Sequence, residues 1–136
     1  MAPSADSTGP ANPASCEHIA WTALLGIVEQ SGLGVLTLAE NLSRDELLRT
    51  RLTREEVGKQ LRVLTGCLAA LPPELRQIMP EIDWAGWQRV GRQLTGPRGE
   101  ELDEALWFAV ESLTPALLLW LRVYRRSHPE LFVMRI

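Results

Sequence analysis

The clearest pattern of apolar positions in the chain lies between Thr53 and Leu71. Leucine and valine recur there at steps of three and four residues, which places them on one face of a helix: Val57, Leu61, Leu64, Leu68 and Leu71. Thr53 and Glu56 have the spacing of a capping box at its start, and Pro72 with Pro73 ends it. The sequence therefore predicts a long amphipathic helix here.

A weaker apolar repeat precedes this helix and predicts another one from Cys16 to about Gln30. Its repeating positions are Ala20, Leu24, Ile27 and Val28. The stretch "SGLG" at 31–34 is typical of a helix end. We expect a short helical piece at 36–41, and then a capping box of Ser43 and Glu46 that begins a helix over "RDELLRT".

Two further helices are predicted in the C-terminal half. The segment "WAGWQRVGRQLT" offers a packing stripe that consists of Trp84, Trp87, Val90, Gly91 and Leu94. The stretch "GPRG" at 96–99 breaks the pattern, and a last helix runs from about Glu100 to Arg126. Its stripe consists of Leu102, Leu106, Val110, Leu113, Leu117, Leu121 and Tyr124. Pro115 lies inside this helix and predicts a kink near Glu111 to Thr114.

These elements predict an all-α, up-and-down bundle of four to five helices over residues 16–127. Residues 1–15, rich in proline, alanine and serine, are expected to be a disordered tail. Residues 128–136 form a C-terminal tail that either docks on the bundle or touches a partner. The last helix carries apolar residues off its stripe, so we expect a homodimer that buries them, with a fully covered monomeric core as the alternative.

Composition narrows the functions that this bundle can have. The chain has 136 residues, is 46% hydrophobic and carries a formal net charge of -3, which argues against a general polyanion-binding surface. Cys16 and Cys67 match no metal-ligand spacing, so no metal and no cofactor are expected. The N-terminal segment lacks the composition of a signal peptide. The longest apolar run, "PALLLWL", is far shorter than the roughly 20 residues of a membrane span. We therefore expect a cytoplasmic protein without membrane contact.

The order of motifs resembles the HepT-like branch of the HEPN superfamily. The resemblance rests on "SRDELLRTRLTREEVGKQLRVLTGCLAALPPELRQIMPEIDWAGWQRVGRQLTG", followed by "LDEALWFAVESLTPALL". Within these segments lie "LPPELR" at 71–76, "PEIDW" at 80–84, and Trp107 eight residues before Pro115. The resemblance covers roughly residues 17–125, nearly all of the predicted bundle.

The resemblance implies a dimeric α-helical bundle and, in active members, a metal-independent endoribonuclease toxin. Such a toxin is usually encoded with a minimal nucleotidyltransferase antitoxin. The family's motif reads Arg-Asn-x-x-x-His-x-Tyr, in which the arginine polarises the scissile phosphate and the histidine moves a proton. A metal-free phosphoryl transfer needs both, because one group must stabilise the developing charge and another must titrate near neutrality.

This chain keeps the motif arginine and lacks the proton carrier. Arg92 falls on the motif arginine and Gln93 on the asparagine, whereas Pro97 stands at the histidine and Gly99 at the tyrosine. That tyrosine is the residue that the partner nucleotidyltransferase modifies. The resemblance therefore implies a catalytically degenerate protein that acts as a dimeric binding or regulatory module. The alternative is an active endoribonuclease toxin that cleaves RNA with Arg92 and is neutralised by a nucleotidyltransferase-type antitoxin.

Three arginines and one glutamine are the candidate site residues. Arg92 and Gln93 occupy the degenerate catalytic motif, and Arg89, Arg92 and Arg98 are candidates for binding an anion such as an RNA phosphate. The competing interpretation is a solvated helix face with one loop arginine. Neither His18 nor His128 has the motif spacing to Arg92. The five tryptophans lie in apolar helical context, which favours burial over base stacking.

Overall fold

Helices make up the whole of the regular structure in the computed structural model, which describes residues 13–133 and the side chains of residues 20–133. The helices are α1 (Pro13–Leu38), α2 (Arg44–Arg49), α3 (Arg51–Ala70), α4 (Pro73–Ile78), α5 (Trp84–Leu94), α6 (Glu100–Phe108) and α7 (Thr114–Ser127). A π-helical turn at Ala109–Leu113 joins α6 to α7, and the three together are called the C-terminal helix below. The all-α prediction is confirmed for the described residues.

Four long helices surround one core. α1 packs against α3 and α7, and α3 lies between α1 and α5. α5 packs in turn against α6 and the π-helical turn, so the C-terminal helix closes the ring. The short helices α2 and α4 connect these elements, with α2 packed on α3.

The two strongest apolar stripes of the sequence face this core. All five predicted positions around α3 are buried: Val57, Leu61, Leu64, Leu68 and Leu71. Six of the seven predicted positions of the C-terminal helix are buried as well, and Leu102 at its start is half-buried. Both stripes are long and regular, so helical periodicity alone identified the buried face.

The predicted end of the first helix is wrong, because α1 continues through "SGLG" to Leu38. The short helical piece expected at 36–41 is therefore mainly the end of α1. Gly32 is buried against α7, where a Cβ atom added to it would lie 3.0 Å from Leu118 Cδ2. This glycine allows two helices to approach closely instead of ending one of them.

The predicted buried face of α1 is also partly wrong. Ala20 and Ile27 are exposed, whereas Leu25, Val28 and Val35 are fully buried. Apolar residues lie on most sides of α1, so its periodicity does not single out one face. The close approach at Gly32 selects the side that turns inward.

One of the two predicted capping boxes is confirmed. Ser43 Oγ accepts a hydrogen bond from the Glu46 amide at 3.2 Å, and Glu46 Oε1 accepts one from the Ser43 amide at 2.8 Å. The hydrogen bond that the carboxylate accepts from the Ser43 amide, with a further contribution from the Ser43 side chain, holds the pKa of the Glu46 carboxyl below its usual value. Thr53, by contrast, lies inside the first turn of α3, because that helix already begins at Arg51 with Thr50 as its N-cap.

The irregularity predicted around Pro115 takes the form of the π-helical turn at Ala109–Leu113. Proline has no N–H to donate, and its ring clashes with the carbonyl group four residues earlier, here that of Glu111. The wider turn directly before Pro115 accommodates both effects while the helix continues into α7.

The C-terminal segment docks on the bundle as far as Val133, the last described residue. Leu131 is buried in a 3₁₀ turn at Pro129–Leu131, and its carbonyl oxygen accepts a hydrogen bond from Thr22 Oγ1 at 3.2 Å. Arg125 pairs with Glu29 on α1. At the other end, residues 13–15 belong to α1, and the rest of the predicted N-terminal tail lies outside the described residues.

Two helical stretches are long and apolar enough to cross a membrane by length and composition, namely Ala20–Leu38 and Glu100–Ser127. In this bundle 33% of the first window and 39% of the second are buried. Core helices of soluble proteins meet the same criterion, so it does not by itself assign either stretch to a bilayer.

The contact at Gly32 predicts a difference between two glycines of the same helix. Gly32→Val forces α1 away from Leu118 and is expected to lower the free energy of unfolding by about 1–3 kcal/mol. Gly26 is the matched control, since a Cβ atom there meets nothing within 4 Å. Gly26→Ala is expected to raise stability by about 0.5–1 kcal/mol. Urea unfolding followed by circular dichroism measures both, and equal stabilities would contradict the assigned packing.

Candidate anion-binding groove

An open groove of about 630 Å³ lies between α3 and α5. Arg62, Thr65 and Ala69 line its α3 wall, while Trp84, Gln88 and Arg92 line its α5 wall. Leu68 and Trp87, both buried, lie beneath these walls. The volume falls within the range of small-molecule sites in proteins.

Helix periodicity places the residues of each wall on one face. Trp84, Gln88 and Arg92 are four residues apart on α5, so their side chains project in nearly the same direction. Asp83 begins α5 by accepting a hydrogen bond from the Gly86 amide at 2.9 Å. The cap sets where α5 starts and therefore which side chains its groove face presents.

Small residues on both walls keep the groove open. Gly66 and Ala69 on α3 and Ala85 and Gly91 on α5 contribute little side-chain volume to the lining. The two helices approach each other beside Arg92, where a Cβ atom added to Gly91 would lie 3.4 Å from Thr65 Cβ. The space that remains is bordered by the longer arginine and tryptophan side chains.

The charged side chains that line the groove are all cationic and lie beside a larger apolar surface. Arg62, Arg76 and Arg92 are the charged side chains that line it, and no aspartate or glutamate of the described residues does so. None of the three guanidinium groups has a carboxylate within 4.0 Å among the side chains of residues 20–133. A chain with an overall charge of -3 therefore concentrates positive charge at one concave surface, which attracts anions.

Arg76 and Trp84 form a fixed corner of the groove. Arg76 Nη2 donates a hydrogen bond to the Ala69 carbonyl oxygen at 3.1 Å, and the guanidinium carbon lies 5.7 Å from the centre of the Trp84 ring. Trp84 Nε1 donates to the Met79 carbonyl oxygen at 3.0 Å. Arg76 Nε is buried and has no partner among the described atoms.

The structure places the predicted site residues on different surfaces. Arg92 is exposed and lines the groove, whereas Arg89 and Gln93 lie on the same helix but outside the lining. Arg98 lines a second, smaller concavity of about 210 Å³. Arg62 lines both concavities and is the link between them.

Arg62, Arg76 and Trp84 were missed by sequence reasoning. The first two are separated from Arg92 by 30 and 16 residues, and only the packing of α3 and α4 against α5 brings them together. Trp84 was assigned to the packing stripe of α5, yet it is half-buried beside a guanidinium group. The four-residue spacing of Trp84, Gln88 and Arg92 was the available signal.

The loop after α5 carries Pro97 and Gly99, which stand at the histidine and tyrosine of the motif that the sequence resembles. α5 ends at Leu94, and the residues from Thr95 to Gly99 are exposed and outside any helix. Gly99 has a φ of 154°, a conformation that side chains with a Cβ atom rarely adopt. Pro97 and Gly99 therefore lie in a loop after α5 and not in a continuation of that helix.

No histidine, cysteine or carboxylate side chain of the described residues lines the groove. His128 does not line it; its Nδ1 lies 3.5 Å from Glu130 Oε2, and its ring contacts Tyr124. Cys67 is a half-buried free thiol, and burial raises its pKa, which disfavours the reactive thiolate. Residues 20–133 hold no cluster of three His, Cys, Asp or Glu side chains that could bind a metal ion.

Comparison of the chain with models of known protein families, with curated proteins and with solved structures gives no match. The geometry of the groove is therefore the basis on which its chemistry is assigned. It combines three arginine side chains with an apolar surface in one concave site.

Proposed function

We propose that this chain is a HepT-like protein of the HEPN superfamily that has lost ribonuclease activity and acts as a dimeric binding or regulatory module in the cytoplasm. The observation that carries the binding role is the position of Arg92. Its exposed guanidinium group has no carboxylate partner among the described side chains and shares a groove with Arg62 and Arg76.

The proposed loss of catalysis is supported by the residues that line the groove with Arg92. An arginine stabilises negative charge on a phosphate, but it does not titrate near neutrality and cannot act as a general base. The groove lining includes no histidine, aspartate, glutamate, cysteine or tyrosine of the described residues. A phosphodiester bound there would be held and polarised without any group to remove the proton from its ribose 2′-hydroxyl.

The proposed homodimer uses the exposed side of the C-terminal helix. Phe108, Leu119 and Val123 are 41%, 57% and 41% exposed, and Pro115 and Ala116 lie between them. Together they form an apolar stripe along several helical turns, which a second copy could cover by packing its own stripe against it. The bundle itself only half-buries Trp107 and Trp120, so apolar surface remains beside the stripe.

For the protein partner we propose a minimal nucleotidyltransferase-type antitoxin, which the family resemblance supports. With Gly99 in place of the motif tyrosine, nucleotidyl transfer to that position is impossible. Any such pairing would therefore rest on non-covalent association. RNA is the proposed ligand of the cationic groove.

The first test combines RNA cleavage with RNA binding. Purified protein is incubated with single-stranded RNA in EDTA, and binding of a fluorescein-labelled strand is followed by anisotropy. We expect no cleavage and a salt-sensitive affinity that Arg92→Ala lowers by roughly tenfold, as the loss of one charge-assisted phosphate contact predicts. Arg89→Ala is the matched control, since it removes the same charge from the same helix outside the groove.

Cleavage that disappears in Arg92→Ala would replace the proposal with the active endoribonuclease. Pro97→His combined with Gly99→Tyr serves as a second control. We expect no recovery of cleavage from it, because tyrosine is strained at the φ of Gly99 and α5 ends at Leu94. Robust cleavage by this double variant would show that the scaffold still supports the reaction.

The dimer is tested by sedimentation velocity. The wild-type protein is expected to sediment as a dimer at micromolar concentration and Leu119→Glu as a monomer, because a carboxylate in the apolar stripe would be buried without a partner. Leu52→Glu is the control, since Leu52 is 77% exposed at the start of α3 and outside the stripe. A monomeric wild type, or a dimer that Leu119→Glu leaves intact, would contradict this interface.

A further inference from the structure

The groove combines two kinds of surface that a simple anion does not need. Its charged part consists of Arg62, Arg76 and Arg92, whose planar guanidinium forks match the oxygens of a phosphate. Its apolar part includes the half-buried ring of Trp84 above the buried Trp87. A ligand that used both would carry a phosphate and a flat, weakly polar ring within the same molecule.

Arg62 and Arg92 lie at one end of the groove, whereas Arg76 lies with the Trp84 ring at the other end. Arg76 ties the Trp84 end of α5 to Ala69, while Thr65, one turn earlier on α3, contacts Gly91 beside Arg92. α3 and α5 therefore run antiparallel along the groove, and Arg62 lies towards the Arg92 end. Eight residues of helix separate Trp84 from Arg92, which is about 12 Å. The aromatic end and the end with two arginines are thus separated along one continuous surface.

The polar groups between these ends complete the pattern. Gln88 lies on α5 midway between Trp84 and Arg92, and its amide both donates and accepts hydrogen bonds. Thr65 adds a hydroxyl from the opposite wall, although its Oγ1 already donates to the Arg62 carbonyl oxygen at 3.2 Å. Such groups suit a ribose hydroxyl or the edge of a base, where proteins read single-stranded RNA.

We propose that the groove between α3 and α5 binds a nucleoside phosphate, either free or as one unit of a single-stranded RNA. Its base stacks on Trp84 next to Arg76, and its phosphate lies between Arg62 and Arg92. The inference rests on the proposed binding function and adds to it the nucleotide unit that the groove holds and three residues outside the family motif. Stacking on an aromatic ring tolerates any base, so the site selects for a nucleotide unit and not for a sequence.

The experiment separates the two ends of the groove with two variants and three probes. The probes are inorganic phosphate, adenosine monophosphate and a fluorescein-labelled six-nucleotide RNA, the first two used as competitors of the third. Arg62→Gln removes a cation at the phosphate end, Trp84→Leu removes the ring, and Arg89→Gln is the control outside the lining. Circular dichroism and thermal unfolding verify that each variant is folded.

We expect Trp84→Leu to weaken binding of the nucleotide or of the RNA by roughly 5- to 150-fold, the range measured for loss of one stacked base. Its effect on competition by inorganic phosphate should be small. Arg62→Gln is expected to lower the affinity for each of the three probes by about tenfold. Arg89→Gln is expected to leave all three affinities unchanged. Trp84→Phe keeps a flat ring and should retain most of the affinity for the nucleotide and the RNA. It also provides a test at this position if Trp84→Leu fails to fold.

The outcomes distinguish this inference from the proposed function. If Arg92→Ala weakens RNA binding but Trp84→Leu and Arg62→Gln, both verified as folded, do not, the nucleotide site is wrong while the binding module stands. If the wild type binds neither RNA nor nucleotide, or if Arg89→Gln weakens binding as much as Arg62→Gln, both are wrong. If adenosine monophosphate competes with the labelled RNA and Trp84→Leu weakens this competition as much as it weakens RNA binding, the ligand is a free nucleotide. If Trp84→Leu weakens only the binding of the six-nucleotide RNA, the ligand is RNA.

Discussion

The burial of α3 between α1 and α5 is the constraint on which the rest of this structure depends. One face of α3 places Val57, Leu61, Leu64 and Leu68 in the core, and all four are at least 97% buried. Because a helix has a single register, burying that stripe also determines where its other side chains point. Arg62, Thr65, Gly66 and Ala69 are thereby presented to α5, where they line the groove.

Three arginines and no carboxylate of the described residues line one groove. This arrangement is compatible with folding only because the groove is open to solvent. Charges at a surface repel each other weakly in a high dielectric, whereas buried unpaired charges are strongly destabilising. Arg62 and Arg92 are exposed, and Arg76, which is half-buried, gains the Ala69 carbonyl and the Trp84 ring as partners. The groove thus holds positive charge that an anionic ligand can neutralise, although the chain as a whole is acidic.

The parts of this structure that sequence reasoning predicted are those with long, regular patterns. The α3 stripe, the C-terminal stripe and the Ser43 capping box depend on residues close in sequence, so local rules suffice for them. The extent of α1 could not be predicted, since Gly32 resembles a helix end until Leu118 is known to lie against it. The site shows the same limit. Arg92 was identified through its motif position, but its neighbours Arg62 and Arg76 are placed by tertiary packing alone.

The most direct measurement of the central claim follows the arginine Nε–Hε signals by NMR while a single-stranded RNA is added. The account predicts that the signals of Arg62, Arg76 and Arg92 shift in a saturable manner with one common affinity, because the three groups line one site. Signals of Arg89 and Arg126, both exposed and outside the lining, should move little. Small, uniform shifts of all arginines, or shifts confined to arginines outside the groove, would contradict the account.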